Sequence, residues 1–370
     1  MKLDDFSYEL PDDRIAQQPL AARDASRLLL LSRQQSAWED HAFAELPALL
    51  RGDELLVVNN ARVIPARLFG HRRGDKSEPA GKQARERGEY LSSVIEVLLT
   101  RNVEGNLWEA LVRPGRKVRV GEHILFGNGE LEAEVIARGE LGLRQLKFSS
   151  PRTDATDTVQ QIIERLGHVP LPPYIRRSDE AEDRLRYQTV FARRGSAVAA
   201  PTAGLHFTDS ILEKLRARGV EICEITLNVG LGTFQPIHEE EIERHAIHTE
   251  SYEIPEETVN KISMAKKNGQ PVLAIGTTVV RALEDAAQKA SASDAETLIS
   301  AGIAEADIFI YPGHQFRIVD QVLTNFHLPR STLLAMIAAF AELDLTLRAY
   351  RHAIAENYRF YSYGDCMLIR

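Results

Sequence analysis

The segment Asp307–Leu334, DIFIYPGHQFRIVDQVLTNFHLPRSTLL, carries the pattern that decides the fold. It contains two apolar runs on either side of a Tyr-Pro-Gly turn, and the first run predicts a strand over Asp307–Ile310. The second run ends in polar residues, and Ser331 then predicts the N-cap of an apolar helix that begins at Leu333. A strand that leads through polar residues into a helix is typical of α/β proteins, which commonly bind ligands at such junctions.

The same alternation of strands and helices occurs through most of the chain. Apolar runs and amphipathic segments predict strands at Leu55–Val58, Val220–Leu227 and Val272–Ile275, and helices at Asp157–Leu166, Asp209–Ala217, Glu256–Lys267, Thr277–Ala290, Leu333–Leu343 and Leu347–Asn357. The sequence therefore predicts the α/β fold class, with a mainly parallel sheet covered by helices.

The middle of the chain has a different pattern. In residues 66–150, short alternating runs are separated by turn signals such as Pro114-Gly115, which predicts a small antiparallel barrel or sandwich. We therefore expect an α/β domain over residues 1–65 and 151–370, interrupted by a small all-β barrel insertion domain. Residues 74–89 belong to a polar stretch without apolar periodicity and predict a flexible loop.

The composition excludes several classes of protein. Of the 370 residues, 44% are hydrophobic and 26% are charged, as in ordinary globular proteins. The two cysteines, Cys223 and Cys366, are far apart, which favours a reducing cytoplasm over a disulfide framework. No apolar run is long enough for a membrane span, and the polar N-terminus does not fit a signal peptide, so no membrane partner is expected.

The charge of the chain is unevenly distributed. A net charge of −8 argues against a general nucleic-acid coat protein, but it leaves room for a local basic surface. The segment RPGRKVR has four basic residues and no acidic residue, and predicted strands flank it. This pattern favours a rigid basic turn, although a solvated loop has the same composition. The basic residues are Arg113, Arg116, Lys117 and Arg119.

Polar residues and glycines cluster where predicted strands meet helices. In an open α/β sheet ligands bind outside the carboxyl ends of the strands, so we expect these groups to lie near one another. Together they favour an enzyme. The candidates are Thr202, Gly204 and His206 before one helix, Gly230, Gly232 and Thr233 after one strand, Thr277, Thr278 and Arg281 at a helix start, and Asn325 and His327 at the end of the second apolar run.

Each group has a chemical and a plain structural interpretation. The Gly-Thr-Thr stretch at Gly276–Thr278 would offer free N–H groups and a helix dipole to a carboxylate or phosphate, but ordinary N-capping has the same pattern. A single histidine is more often a hydrogen-bonded structural residue than a catalyst. The pair His245 and His248 has no third ligand at a settled spacing, so no metal is expected.

Eight stretches of the sequence occur in a recognisable order with compatible spacing. They are NNARVIPARLFG (Asn59–Gly70), GHVPLPPYI (Gly167–Ile175), YQTVFA (Tyr187–Ala192), AVAAPTAGLHFT (Ala197–Thr208), NVGLGTFQPI (Asn228–Ile237), GTTVVRALE (Gly276–Glu284), IFIYPGHQFRIVDQVLTNFHLPRSTL (Ile308–Leu333) and YRFYSYGDCMLI (Tyr358–Ile369). In these stretches the chain closely resembles the S-adenosylmethionine:tRNA ribosyltransferase-isomerase family of queuosine biosynthesis.

The resemblance implies a reaction that the residues alone do not give. S-adenosylmethionine would donate its ribosyl part to 7-aminomethyl-7-deazaguanine at the wobble position of a tRNA with a GUN anticodon. The products would be epoxyqueuosine in tRNA, adenine and methionine. The resemblance also implies an α/β main domain with a β-barrel insertion, a monomer, and no metal or bound cofactor, because S-adenosylmethionine is a consumed substrate.

The chemistry of this reaction suggests roles for particular residues. A base must remove a ribose 5′ hydrogen that the sulfonium acidifies, and the departing adenine must be protonated or hydrogen-bonded. On this resemblance, we expect the candidates His206 and His327 as acid/base groups, Thr277, Thr278 and Arg281 on the methionine carboxylate, Asn59, Asn60 and Arg62 on ribose or purine, Tyr361, Tyr363 and Asp365 around a base, and Arg113, Arg116, Lys117 and Arg119 on tRNA phosphates.

The chain departs from the expected pattern at a few positions. Asn228 stands where the resemblance leads us to expect histidine, so either that histidine is not the catalytic base or this member is altered. Ala61 replaces a usual threonine, and the segment Arg72–Arg87 is longer than expected and predicts an exposed insertion.

Two other functions remain open at the level of sequence. The first is an S-adenosylmethionine-dependent RNA methyltransferase, which would share the donor and the RNA substrate. This alternative has little support, because the chain has no glycine-rich turn after its first strand, where such folds usually bind the donor. The second is a non-catalytic tRNA-binding protein that depends on the basic turn of the β-domain. It would leave the histidines and threonines at the strand ends without a purpose.

Overall fold

The computed structural model describes residues 1–73, 93–139, 142–151, 157–230, 237, 239–294 and 296–370. The predicted loop over residues 74–89 and the candidate residues Gly232 and Thr233 lie outside the described residues, as does most of the predicted insertion Arg72–Arg87.

The secondary structure alternates between strands and helices on both sides of a block of strands. The strands are β1 (Arg27–Ser32), β2 (Ala37–Ala42), β3 (Leu55–Asn59), β4 (Ala61–Val63), β5 (Arg67–Arg72), β6 (Val94–Glu104), β7 (Leu107–Arg113), β8 (His123–Phe126), β9 (Leu131–Arg138), β10 (Leu143–Ser149), β11 (Arg194–Ala197), β12 (Glu221–Leu227), β13 (Glu250–Ile254), β14 (Val272–Ile275), β15 (Gly302–Ala306), β16 (Gln321–Asn325) and β17 (Cys366–Ile369). The α-helices are α1 (Leu46–Leu49), α2 (Val159–Leu166), α3 (Asp183–Arg186), α4 (Asp209–Ala217), α5 (Glu256–Lys267), α6 (Thr277–Ser293), α7 (Thr332–Ala341) and α8 (Leu343–Ala355).

The main sheet is mixed. Within the described residues it has nine strands in the order β15-β13-β12-β3-β14-β16-β17-β1-β2. Its centre, β12-β3-β14-β16, is parallel, and so is the pair β17-β1. The remaining pairs are antiparallel. The predicted α/β class is thus confirmed, and four of the eight strand pairs in the described sheet are parallel.

Helices cover both faces of the sheet, which explains the uninterrupted apolar sequence of the central strands. Every residue of β3 is buried. Val57 packs into a core that includes α5, α6, α7 and α8, whereas Leu56 and Val58 pack into a core with α1 and α4. Strands covered on both faces read as continuous apolar runs because neither face meets water. No helix in the described ranges is long and apolar enough to cross a lipid bilayer.

The strand predicted at Asp307–Ile310 is wrong. The strand in this part of the chain, β15, ends at Ala306. The next backbone N–H groups, those of Asp307 and Ile308, lie 3.1 and 3.4 Å from Oδ1 of the buried Asp285 in α6 and donate to it. The apolar side chains that follow serve packing, since Ile310 is buried in the main core.

The helices agree more closely with the prediction. The predicted bounds of α4 and α5 are those of the structure, while α6 continues beyond Ala290 to Ser293. The predicted N-cap at Ser331 is confirmed, because its Oγ accepts a hydrogen bond from Leu334 N–H at 3.2 Å. The following helix, α8, begins at Leu343, earlier than the predicted Leu347.

The middle of the chain folds as a closed barrel of antiparallel strands. Among the described residues, its strands follow the order β10-β7-β6-β5-β8-β9 and extend from Arg67 to Ser149. The barrel core is apolar, with Val97, Ala110 and Phe126 buried inside it. The prediction that a β-barrel is inserted in the middle of the chain is thus confirmed. The exact domain boundaries at residues 65/66 and 150/151 stay predictions.

Candidate active site

A cleft lined by apolar side chains and several polar ones lies at the carboxyl ends of β14 and β16. Its empty volume is about 680 Å³, part of which is open to solvent. The two strands are parallel neighbours, so the chain leaves both of them at the same edge of the sheet. The cleft brings together six of the residues predicted from sequence, namely Thr202, Thr277, Thr278, Asn325, His327 and Tyr361.

The start of α6 forms one wall of this cleft. Gly276 has φ +95°, a left-handed conformation that glycine adopts without strain, and it leads directly from β14 into the helix. The first N–H groups of a helix have no partner inside the helix, and the dipole makes this end positive. Thr278 Oγ1 is buried and has no hydrogen-bond partner among the described residues. This wall is suited to an anionic group such as a carboxylate.

His327 presents a neutral imidazole to the cleft. Burial lowers the pKa of its ring to about 3. Its Nε2 lies 2.7 Å from Thr324 Oγ1, while Nδ1 has no hydrogen-bond partner in the described part of the chain. The backbone of His327 is fixed as well, because its N–H donates to Tyr350 Oη at 3.1 Å and its carbonyl accepts from the Tyr8 hydroxyl.

His206 lies behind the cleft wall and is not one of the lining residues. Its Nδ1 is 2.7 Å from Ser26 Oγ and its Nε2 is 3.1 Å from Asn325 Nδ2, so both ring nitrogens already have partners. Burial lowers the pKa of His206 to about 3, and the nearby Arg23 and Arg359 act in the same direction. Of the two predicted acid/base groups, only His327 therefore offers a ring nitrogen to the cleft.

Tyr361 combines three unusual features at the cleft. Its φ is +70°, which a residue with a large side chain rarely adopts and which often marks a functional site. Its ring stacks on Tyr174 with centroids 4.4 Å apart. Its hydroxyl is buried without a hydrogen-bond partner in the described ranges, and burial raises its pKa, so the phenol stays protonated.

Arg281 is held by several bonds inside the protein. Its guanidinium is buried and forms a 2.7 Å ion pair with Glu250. It also donates to the backbone carbonyls of Ala306 at 2.8 Å and Ile308 at 3.3 Å. The charge of Arg281 is thus balanced inside the protein, and its donors tie α6 to neighbouring segments. Its predicted contact with a substrate carboxylate stays a prediction, and Arg281 lines a second pocket together with Thr277 and Thr278.

The polar residues after β3 also have partners inside the protein. Asn59 donates to the carbonyl of Leu227 at 3.0 Å and accepts from the N–H of Leu227 at 3.1 Å, which joins β3 to β12. Asn60 bonds to Glu224 and Thr226, and Arg62 forms an exposed ion pair with Glu164. None of the predicted Asn59, Asn60 and Arg62 is among the described residues that line the cleft.

The other predicted residues are also placed by packing or by internal bonds. Tyr363 donates to Asp183 at 2.7 Å, Asp365 accepts from the N–H groups of Arg27 and Arg359 at 2.8 Å each, and Gly230 N–H donates to Glu250 at 3.0 Å. Gly204 is required for packing, because a Cβ there would lie 2.8 Å from Thr189 Cγ2.

Sequence reasoning missed several residues that line the cleft. Tyr174 lies in the stretch GHVPLPPYI and was assigned no role there, and Ser331 was interpreted only as an N-cap. Thr324 and Ser362 adjoin the predicted residues Asn325 and Tyr361. Because Thr324 and Ser362 are neighbours of predicted site residues, their position in the sequence could have identified them. Asn228, by contrast, is half-buried next to Val229, which does line the cleft.

The basic turn is anchored to the barrel by a buried arginine. Arg113 ends β7, and Arg116 and Arg119 are exposed; the side chain of Lys117 lies outside the described part. Arg144 is buried and donates to the carbonyl oxygens of Gly115 at 2.7 Å and Val118 at 3.3 Å. The turn is therefore tied to the barrel and presents charged side chains to solvent.

No cluster of three or more His, Cys, Asp or Glu side chains suited to a metal ion occurs in the described ranges. His245, from the pair considered in the sequence, lies 3.0 Å from Glu239. Cys223 and Cys366 are both buried free thiols.

The chain combines an α/β sheet with a barrel insertion and has a cleft at the ends of its strands. The family described as queuosine biosynthesis protein matches residues 3–369, and the chain belongs to this family. It is 52% identical over 371 residues to the S-adenosylmethionine:tRNA ribosyltransferase-isomerase of Solibacter usitatus and 46% identical over 371 residues to that of Natranaerobius thermophilus, with 100% of each chain covered.

The fold is also similar to a solved structure. The crystal structure of S-adenosylmethionine tRNA ribosyltransferase from Thermotoga maritima is 36% identical in sequence and superposes with a TM-score of 0.52. The match covers 99% of this chain and 100% of that chain, so the sheet and the barrel are both included.

Proposed function

We propose that this chain is an S-adenosylmethionine:tRNA ribosyltransferase-isomerase. The observation that carries the proposal is the full-length similarity to proteins of that name, which reaches 52% identity with 100% of both chains covered. A match of this extent includes the cleft, the barrel and the connections between them.

The substrates are S-adenosylmethionine and a tRNA with a GUN anticodon that carries 7-aminomethyl-7-deazaguanine at the wobble position. The ribosyl part is transferred and isomerised, adenine and methionine leave, and epoxyqueuosine remains in the tRNA. S-adenosylmethionine is consumed as a substrate, so the proposal includes no bound cofactor or metal. We further propose that the chain acts as a monomer in the cytoplasm, where its tRNA substrate is present.

His327 is our candidate for the base that removes a ribose 5′ hydrogen. Thr324 Oγ1 lies 3.3 Å from the carbonyl oxygen of Asn325, to which its proton can be donated. His327 Nε2 then donates to Thr324 Oγ1, and the lone pair of Nδ1 is free to accept a proton. Burial lowers the pKa of this ring to about 3, which makes it a weak base, so the sulfonium bonded to the 5′ carbon must supply the acidity of the hydrogen that is removed.

The other walls of the cleft are suited to the remaining groups of the donor. The start of α6, with Thr277 and Thr278, is our candidate for the methionine carboxylate, because it is a positive helix end beside an unpartnered hydroxyl. The protonated hydroxyl of Tyr361 is our candidate to donate a hydrogen bond to the departing adenine.

The basic turn of the barrel is our candidate for the tRNA contact. Exposed arginines on a turn that a buried arginine anchors would meet phosphates without large loss of conformational freedom. Such contacts release counterions, so the affinity for tRNA should fall as salt increases. The residues are Arg113, Arg116, Lys117 and Arg119.

Adenine release tests this function. The protein is incubated with S-adenosylmethionine and tRNA bearing the aminomethyl base, and adenine and modified nucleoside are quantified by liquid chromatography. Equal amounts of adenine and epoxyqueuosine support the proposal and show that Asn228 permits catalysis. Methylated tRNA without adenine would support a methyltransferase instead, and tight tRNA binding by a folded protein that releases no adenine would support a binding protein. Asn228→His is the matched variant, because it restores the expected residue.

A further inference from the structure

The carboxamide of Asn325 has one end with several partners and one end with none. Its Nδ2 lies 3.1 Å from His206 Nε2, 3.1 Å from the carbonyl oxygen of Tyr361 and 3.3 Å from that of Asp365. The two carbonyl oxygens only accept hydrogen bonds, so the amide nitrogen must face them. Oδ1 occupies the other branch and has no partner in the described part of the chain, although Asn325 is only 3% exposed.

His206 and Ser26 continue this arrangement away from the cleft. His206 Nε2 accepts the bond from Asn325, so Nδ1 carries the ring proton and donates to Ser26 Oγ at 2.7 Å. Ser26 in turn donates to the carbonyl oxygen of Arg23 at 3.4 Å. Every donor in this series points away from the cleft. Burial keeps the ring neutral, and a protonated Nε2 could not accept from Asn325.

We propose that His206 is a positioning residue that holds the Asn325 carboxamide so that Oδ1 faces the cleft and accepts a hydrogen bond from an N–H group of a substrate. Asn325 lines the cleft, and its Oδ1 is the only part of the carboxamide without a partner in the described residues. A buried acceptor without a partner is costly, and a ligand that supplies an N–H group removes this cost.

The identity of the N–H donor rests on the proposed function. S-adenosylmethionine carries such groups on its α-ammonium and on its adenine, and the tRNA base carries them on its aminomethyl group. The two sources give different kinetics. If S-adenosylmethionine supplies the N–H group, changes at Asn325 raise the KM for S-adenosylmethionine. If the tRNA base supplies it, the same changes raise the KM for tRNA and leave the KM for S-adenosylmethionine unaltered.

The test compares two replacements of His206. His206→Leu fills a similar volume but cannot accept from Asn325, whereas His206→Gln can place an acceptor oxygen near the position of Nε2. We expect His206→Leu to lower kcat/KM about 10- to 100-fold, the range for one lost buried hydrogen bond and a misplaced carboxamide. We expect His206→Gln to recover most of this loss. A folded His206→Gln protein as impaired as the leucine variant would overturn the proposal, because the ring itself would then be needed.

A double-mutant cycle shows whether His206 acts through Asn325. Asn325→Ala removes the carboxamide, so His206→Leu should have little further effect in that background. An undiminished loss from His206→Leu beside Asn325→Ala would contradict the proposal. A His206→Leu protein with lowered Tm but full kcat/KM would also contradict it, since the role of His206 would then be purely structural.

Two further measurements keep the test decisive. If His206→Leu does not fold, Ser26→Ala serves instead. It removes the partner of Nδ1 and should lower kcat/KM about 3- to 10-fold, the value of one hydrogen bond, and an unchanged kcat/KM would overturn the proposal.

Calorimetric titration with S-adenosylmethionine and with the modified tRNA separates this inference from the proposed function. If the wild-type protein releases no adenine, the proposed function is refuted. If the His206 and Ser26 variants bind S-adenosylmethionine and the modified tRNA as tightly as the wild type, the positioning role of His206 is refuted.

Discussion

The carboxyl ends of β3 and β16 carry similar polar residues, but the structure uses them differently. At the end of β3, the carboxamides of Asn59 and Asn60 have partners at both ends, and these bonds join β3 to β12. After β16, Asn325 Oδ1 and His327 Nδ1 have no partner among the described residues, and both residues line the cleft. The type of residue alone therefore does not distinguish the two strand ends, whereas an unpartnered polar atom in a residue that lines the cleft does.

The largest expected effect is at His327. His327→Gln keeps a polar side chain but replaces the imidazole, so we expect kcat for adenine release to fall about 100- to 10,000-fold, the usual range for a general base. His352→Gln, which changes a histidine paired with Asp40 outside the cleft, is the matched control and should retain wild-type kcat. A folded His327→Gln protein with full turnover would remove His327 from the role of base.

The second effect concerns the stability of the protein. Arg281→Met removes the cation that balances the buried carboxylate of Glu250, so we expect the free energy of unfolding to fall by about 3–5 kcal/mol in urea titrations. Replacing both residues, Arg281→Met with Glu250→Gln, should recover part of this loss. If Arg281→Met is as stable as wild type and only raises the KM for S-adenosylmethionine, the residue binds substrate as the sequence first suggested.

The two buried histidines make stability depend on pH. Burial lowers the pKa of His206 and His327 to about 3 from the ordinary 6.5, so the unfolded chain binds more protons between these values. The free energy of unfolding should therefore decrease as pH falls from 6.5 towards 3, by at most about 1.4 kcal/mol per pH unit for each histidine. His206→Gln should reduce this slope, and an identical slope in that variant would show that the pKa of His206 is the same in the folded and the unfolded chain.

A smaller effect is expected on the barrel. Changing Arg116 to alanine removes one exposed charge of the basic turn, so the KM for tRNA should rise a few-fold and its dependence on salt should weaken by about one counterion. The KM for S-adenosylmethionine should stay the same. Arg101→Ala, on the same barrel but paired with Glu109, is the control. Equal changes in both KM values would indicate loss of structure in place of a lost phosphate contact.

Local patterns were sufficient for the elements that depend on local interactions. The helices α4 and α5 and the strand β14 have the predicted bounds, because their ends are set by periodicity and by caps such as Thr208. The strand predicted at Asp307–Ile310 failed because Asp285, more than 20 residues earlier in the chain, accepts its N–H groups. The antiparallel edges of the sheet could not be predicted either, since strand pairing joins distant segments.

The candidate site shows the same division. The sequence identified the start of α6 and the end of β16, because glycine, threonine and histidine at strand–helix junctions suggest ligand binding. It could not distinguish His206 from His327, which have the same residue type and similar surroundings in sequence. Only the packed structure shows that Asn325 and Ser26 use both nitrogens of His206.

Two threonine hydroxyl groups test whether an unpartnered polar atom at the cleft binds substrate. Thr278 Oγ1 has no partner in the described ranges and lies at the cleft, whereas Thr226 Oγ1 donates to Asn60 Oδ1 at 2.7 Å. The measurement is the calorimetric Kd for S-adenosylmethionine, together with the free energy of unfolding, for Thr278→Val and Thr226→Val. We expect Thr278→Val to weaken binding about 5-fold at unchanged stability, and Thr226→Val to lose about 1–2 kcal/mol of stability at unchanged Kd. The reverse assignment, or equal effects of the two variants on Kd, would contradict the account.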